Sequence, residues 1–147
     1  LRQLILDNFN IIEWSLDDSK ILYEASASAN LQIVIKPRLI GADSTSEQRK
    51  IEKGLIYAYD IKEDKNYKID TKPQGNLHWF PDSNHLVYVN NQRINIMEYD
   101  GSNKTTIYAG PFVDGFAFPW PDGSKIVILT NLGNSDIAPN LYTIVLK

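Results

Sequence analysis

Seven residues of this chain have the types and spacing that could do chemistry: Asp17, Asp60, Asp82, Asp100, Asp122, His78 and His85. Carboxylates gathered at one point could hold a cation or move a proton. Carboxylates set singly in turns hydrogen-bond their own backbone instead. The second role is expected here, because Asp17, Asp82 and Asp122 each stand between an apolar strand end and a β-rich run. The two histidines lie seven positions apart with a turn between them, so local geometry does not make them a ligand pair. A zinc site would need carboxylates from elsewhere. Cysteine is absent, which excludes disulfides, thiolate metal sites and a Cys nucleophile. No G-x-S-x-G elbow and no Gly-rich phosphate cradle occurs. The reading is therefore a chain with no catalytic residue, no metal and no cofactor, and not an enzyme.

The elements that must position these residues are strands. "EWSLDDSKILYEAS" from Glu13, "HWFPDSNHLVYVNN" from His78 and "FPWPDGSKIVILTN" from Phe118 align on their aspartates. Downstream, "LIYAYDIKEDKNYKI" and "INIMEYDGSNKTTIY" each read as a hairpin whose outgoing strand ends in Tyr-Asp. Asp60 to Asp82 is 22 positions and Asp100 to Asp122 is again 22, whereas Asp17 to Asp60 is 43. Equal steps between unlike landmarks mark a repeat of about 40 residues, with one insertion at 36–54.

Four strands per repeat, A to D, place A near 11–15, 77–80 and 116–118, and B from 21, near 86–89 and near 126–129. C falls near 55–59, 94–99 and 141–146, and D near 67–69 and 105–108. The segment 1–6, "LRQLIL", takes the place of a D strand from a preceding unit. The predicted fold is all-β, a β-propeller segment of about three four-stranded antiparallel blades in strand order D, ABCD, ABCD, ABC. It forms one partial domain over 1–147, with units at about 8–70, 71–110 and 111–147.

The pattern W-S/F-P-D followed by an aliphatic strand and then Tyr-Asp resembles the WD40-like, or PD40, repeat. That repeat occurs in TolB-like propellers, in PEGA-associated bacterial surface proteins and in the propellers of tricorn and dipeptidyl-peptidase-type proteases. Leu16 replaces the usual proline, Asp18 and Ser83 the usual glycine, and Pro119 stands where Trp14 and Trp79 align. The resemblance implies strands apolar on both faces, with Trp14 and Trp79 wedged between sheets.

Net charge is −3, which leaves no electrostatic footprint for nucleic acid, and no apolar run is long enough to span a membrane. Three blades are too few to close a ring. Each open end would leave ~400 Å² of apolar face uncovered, or ~10 kcal/mol unrealised. The chain is expected to be part of a larger propeller, or one of two copies completing a six-bladed homodimer. Starting at Leu1 with neither an initiator Met nor a signal peptide, it reads as a piece of a longer protein.

Function is expected on the face shared by the B-to-C and D-to-A loops. Arg38, Asp43, Glu47, Arg49, Lys50 and Lys53 of the insertion are the candidate partner contacts, with Phe9 and Phe112 as loop aromatics that either anchor a partner or wedge into the core. The expected function is a non-catalytic binding scaffold for a protein or peptide partner, extracytoplasmic and at the cell envelope of a bacterium by its resemblance to TolB. Two alternatives stand beside it: the substrate-gating propeller of a serine peptidase whose catalytic domain lies outside this sequence, and a glycan-binding propeller.

Overall fold

The computed structural model describes residues 1–37, 45–69 and 77–147. After a short helix α1 (Arg2–Asn8) come β1 (Phe9–Trp14), β2 (Lys20–Ala25), β3 (Ala29–Asn30), β4 (Lys50–Ile51), β5 (Ile56–Asp60) and β6 (Lys65–Lys68). They are followed by β7 (Leu77–Trp79), β8 (His85–Asn90), β9 (Arg93–Glu98), β10 (Thr105–Tyr108), β11 (Ala117–Pro119), β12 (Lys125–Thr130) and β13 (Asn140–Val145). Two four-stranded antiparallel meanders, β1-β2-β5-β6 and β7-β8-β9-β10, and a three-stranded one, β11-β12-β13, match the expected ABCD, ABCD and ABC. The fold is all-β with propeller-like blades, and β3-β4 is an extra two-stranded ribbon between β2 and β5, whose first strand lies before the insertion expected at 36–54. No helix among the described residues is long and apolar enough to cross a membrane.

The aligned aspartates do what short turns require. Asp82 Oδ1 accepts the N–H of Asn84 at 2.9 Å and of His85 at 3.0 Å. Asp122 Oδ1 accepts the Ser124 N–H at 2.9 Å, and Asp17 Oδ1 the Ser19 N–H at 3.0 Å. Asp60 and Asp100 close the Tyr-Asp hairpins in the same way, accepting from Lys62 and Ser102, each at 2.9 Å. The next residue in each A-to-B turn is left-handed: Asp18 at φ 56°, Ser83 at 58° and Gly123 at 73°. The turn geometry thus survives the loss of glycine in two of the three repeats. At Gly123 a Cβ would also stand 3.3 Å from Phe80 Cε1. Gly123→Ala should therefore cost about 1–2 kcal/mol in a urea melt. A cost near zero would mean that this turn is not left-handed.

The chain divides into two compact units, Leu1–Thr71 with Tyr99–Ser102, and Lys72–Glu98 with Asn103–Lys147. In the first unit, alternation along β2 and β5 sends Ile21, Tyr23, Tyr57 and Tyr59 to one face of the sheet, where all four are buried. In the second unit, Val87, Val89 and Ile94 of one sheet pack with Ala117, Ile126 and Ile128 of the next.

Two expectations are corrected. Residues 1–6 do not form a D strand but most of α1. Leu1, Leu4 and Ile5 have helical spacing, Leu4 and Ile5 pack on the core, and Gln3 Nε2 donates to Asp7 Oδ1 one turn on at 2.7 Å. A helix satisfies this backbone internally, where a strand would need a neighbour to pair with. Trp14 is no wedge: a register shift between Ile11 and Glu13 ends β1 with its indole 41% exposed, while Trp79 is buried as expected.

Candidate functional site

The connection from β2 to β5 leaves β2 through Ser26 and supplies both strands of the β3-β4 ribbon. Its two limbs are tied by the Leu31 N–H, which donates to the Arg49 carbonyl at 2.8 Å. Leu31 and Ile51 then join Phe9, Tyr23, Tyr57 and Tyr59 in one core, with Leu4 and Ile5 of α1 packed against it. Helix α1 and the β3-β4 ribbon with Leu31 together cap the aromatic face of the first sheet.

A polar latch fixes this cap. Asp64 sits in the β5-to-β6 turn with its side chain 3% exposed. Its Oδ2 accepts the N–H groups of Val34 at 2.7 Å and Ile35 at 2.9 Å. Its Oδ1 takes the Tyr59 hydroxyl and Arg49 Nη1, the latter at 3.0 Å. Arg49 Nη2 reaches the Asp64 carbonyl, and Arg49 Nε pairs with Glu47 Oε2 at 3.1 Å. Next to this, Asn66 accepts from the Tyr23 hydroxyl and donates to the Gln48 carbonyl, both at 2.7 Å.

These contacts set the electrostatics. Burial pushes the Asp64 carboxyl upward, but the bonds from Tyr59, Ile35, Arg49 and Val34 outweigh it and hold the group below the usual range. Asp17, through the Ser19 hydroxyl first, Asp82, Asp100 and Asp122 are likewise lowered. Burial raises the phenols of Tyr23 and Tyr59, which stay neutral. A carboxyl that titrates lower in the folded chain than its unfolded value of about 3.9 adds stability above that pH. That contribution is lost as pH falls through the folded value. The urea midpoint should be flat from about pH 7 to about pH 5 and drop below about pH 4. A midpoint unchanged down to about pH 2 would contradict this assignment.

Of the residues expected to meet a partner, Arg38 and Asp43 lie outside the described residues. Glu47 and Arg49 turn inward into the latch, because residues 47–51 lie against the first sheet. Lys50 and Lys53 are exposed, and Lys50 borders a shallow recess of about 300 Å³ beside Asn30 and Glu52. Of the two places expected for Phe9 it takes the core: its ring stacks on Tyr23 at 3.6 Å between centroids. Phe112 is half-buried, with its ring edge-on to Tyr108 at 6.0 Å.

The sequence reading missed a cleft of about 450 Å³ between α1 and residues 30–34. Gln3, Asp7, Asn8, Asn30 and Gln32 supply its polar lining, and Leu4, Leu31, Ile33 and Val34 the apolar part. The amides carry donors and acceptors that are neutral at all ordinary pH, which suits uncharged polar groups flanked by aliphatic ones. The helical spacing of Leu1, Leu4 and Ile5 was the signal that could have located it. Among the described residues, no group of three or more His, Cys, Asp or Glu is placed to hold a metal ion. No protein-family model and no curated protein sequence matches the chain.

Proposed function

We propose that this chain is a non-catalytic binding module of the WD40-like propeller type, and that it takes an extended peptide segment of a protein partner in the cleft between α1 and residues 30–34. The observation that carries this reading is the cleft's mixed amide and aliphatic lining on a cap that is itself pinned by the Asp64 latch. An extended peptide offers that same alternation of amides and side chains, and a rigid wall lowers the entropy lost on binding. An extracytoplasmic setting at the cell envelope rests on the repeat resemblance alone.

The test is a phage-displayed peptide selection, with the enriched peptide titrated into isotopically labelled protein. Side-chain amide signals of Gln3, Asn8, Asn30 and Gln32 should move, and Asn30→Trp should abolish binding by filling the cleft. Binding that ignores Asn30→Trp, or moves signals elsewhere, would overturn the proposal. Glycan binding is the second reading, favoured by the exposed indoles of Trp14 and Trp120. Lys125 Nζ lies 5.0 Å from the Trp120 ring centroid. Binding to a glycan array that is lost in Trp120→Ala and unchanged in Asn30→Trp would favour that reading.

A further inference from the structure

The two edges of the β3-β4 ribbon are used differently. The Leu31 N–H donates to the Arg49 carbonyl, and the register sets Ala29 opposite Ile51 and Asn30 opposite Lys50. Residues 29 and 31 therefore turn their backbone groups towards β4, and residues 30 and 32 turn theirs away from it. On the other limb the corresponding outward groups are taken. The Gln48 N–H donates to the Asn66 carbonyl, and the Gln48 carbonyl accepts from Asn66 Nδ2, both at 2.7 Å. On the near limb the Gln32 carbonyl receives Arg49 Nη1 at 3.3 Å. No hydrogen bond among the described residues uses the N–H of Asn30 or of Gln32.

This open edge faces the cleft, which is lined by residues 30–34 on one side and α1 on the other, and by no residue of β4. Residues 30–35 read Asn-Leu-Gln-Ile-Val-Ile, without the charge or proline that ordinarily guards an exposed edge. The side chains follow the same alternation. Leu31 is buried with Ile51, whereas Asn30 and Gln32 are exposed. A strand laid along this edge would set one side chain beside Leu31 and Leu4, where the lining is aliphatic. Its neighbours on either side would lie beside the amides of Asn30 and Gln32.

We propose that residues 30–32 are a strand-addition edge, on which the partner's peptide lies antiparallel as a third strand of the ribbon. The proposal rests on the cleft being the peptide site, and adds what is recognised there. The edge reads main-chain N–H and C=O groups, and the cleft behind it takes an aliphatic side chain opposite Leu31. Asn30 and Gln32 each exchange bonds with one peptide residue, and those two residues are two positions apart.

The probe is a phage-selected peptide whose binding is lost in Asn30→Trp. It is synthesised with one backbone N-methyl group at a time and titrated into the wild-type chain. N-methylation at two positions, two residues apart, should weaken binding about tenfold or more. The aliphatic residue between them should tolerate it. Hydrogen exchange reads the same bonds from the protein's side. In the free chain the amides of Asn30 and Gln32 should exchange fast and that of Leu31 slowly, and all three should be slow with the peptide bound. N-methyl effects without this period, or a Gln32 amide that stays fast under saturating peptide, would overturn strand addition and leave the cleft as the binding site. A Gln32 amide already slow in the free chain would overturn it too, because the edge would then be occupied. A selection that yields no peptide sensitive to Asn30→Trp would overturn the cleft reading and this one together.

Discussion

Asp64→Ala should lower the stability of the chain by about 3–5 kcal/mol, because it takes one of two carboxylate partners from a largely buried guanidinium and the acceptor from two amides at once. Arg49 is only 16% exposed, and it approaches both the carboxylate and the carbonyl of Asp64. The N–H groups of Val34 and Ile35 lose their acceptor in the same substitution. A useful contrast is the pair of Lys62 and Asp17, 3.6 Å apart with side chains 72% and 44% exposed. Lys62→Ala should cost less than about 1 kcal/mol, since water screens exposed pairs. Urea melts of the two variants give the comparison. Equal small losses would mean that the latch does not hold the cap.

Phe9→Ala should be almost as costly, at about 3–5 kcal/mol. The ring is stacked on Tyr23 with planes 12° apart and lies edge-on to Tyr59 at 5.7 Å, so its removal opens a cavity under the cap. Phe112→Ala removes a half-buried ring and should cost less, about 1–2 kcal/mol. The two phenylalanines were equivalent as loop aromatics in the sequence, so their separation in melts reports which one lies in the core. Similar small losses for both would put Phe9 back on the surface.

The repeat was legible because its landmarks obey local rules. An aspartate that must cap its own turn sits at a fixed place, and the strands on either side need aliphatic residues on both faces. Strand boundaries therefore follow from Asp17, Asp82 and Asp122 to within about two residues. Even the left-handed positions were marked, since Asp18 and Ser83 align with Gly123 and share its conformation.

The cap was not legible. Arg49 and Asp64 are 15 positions apart and belong to segments that look like solvated loops; only tertiary folding shows that each satisfies the other. Tyr23, Tyr57 and Tyr59 on one face need a cover, yet nothing local named Leu31 and Ile51 as that cover. Helix α1 was hidden for a related reason: a six-residue segment with four aliphatic residues fits a strand as readily as a helix, and packing decides between them. The candidate site thus moved from the charged loop to the cleft that this packing creates.

The central claim is that residues 29–35 and 47–51 form a fixed cap on the first sheet. Hydrogen exchange at the backbone amides of Val34 and Ile35 tests it most directly, because in the capped chain both donate to one buried carboxylate. Both should exchange far more slowly than an unstructured amide, and should lose that protection in Asp64→Ala while the amides of β2 and β5 keep theirs. Exchange at the unprotected rate in the wild-type chain would contradict the account.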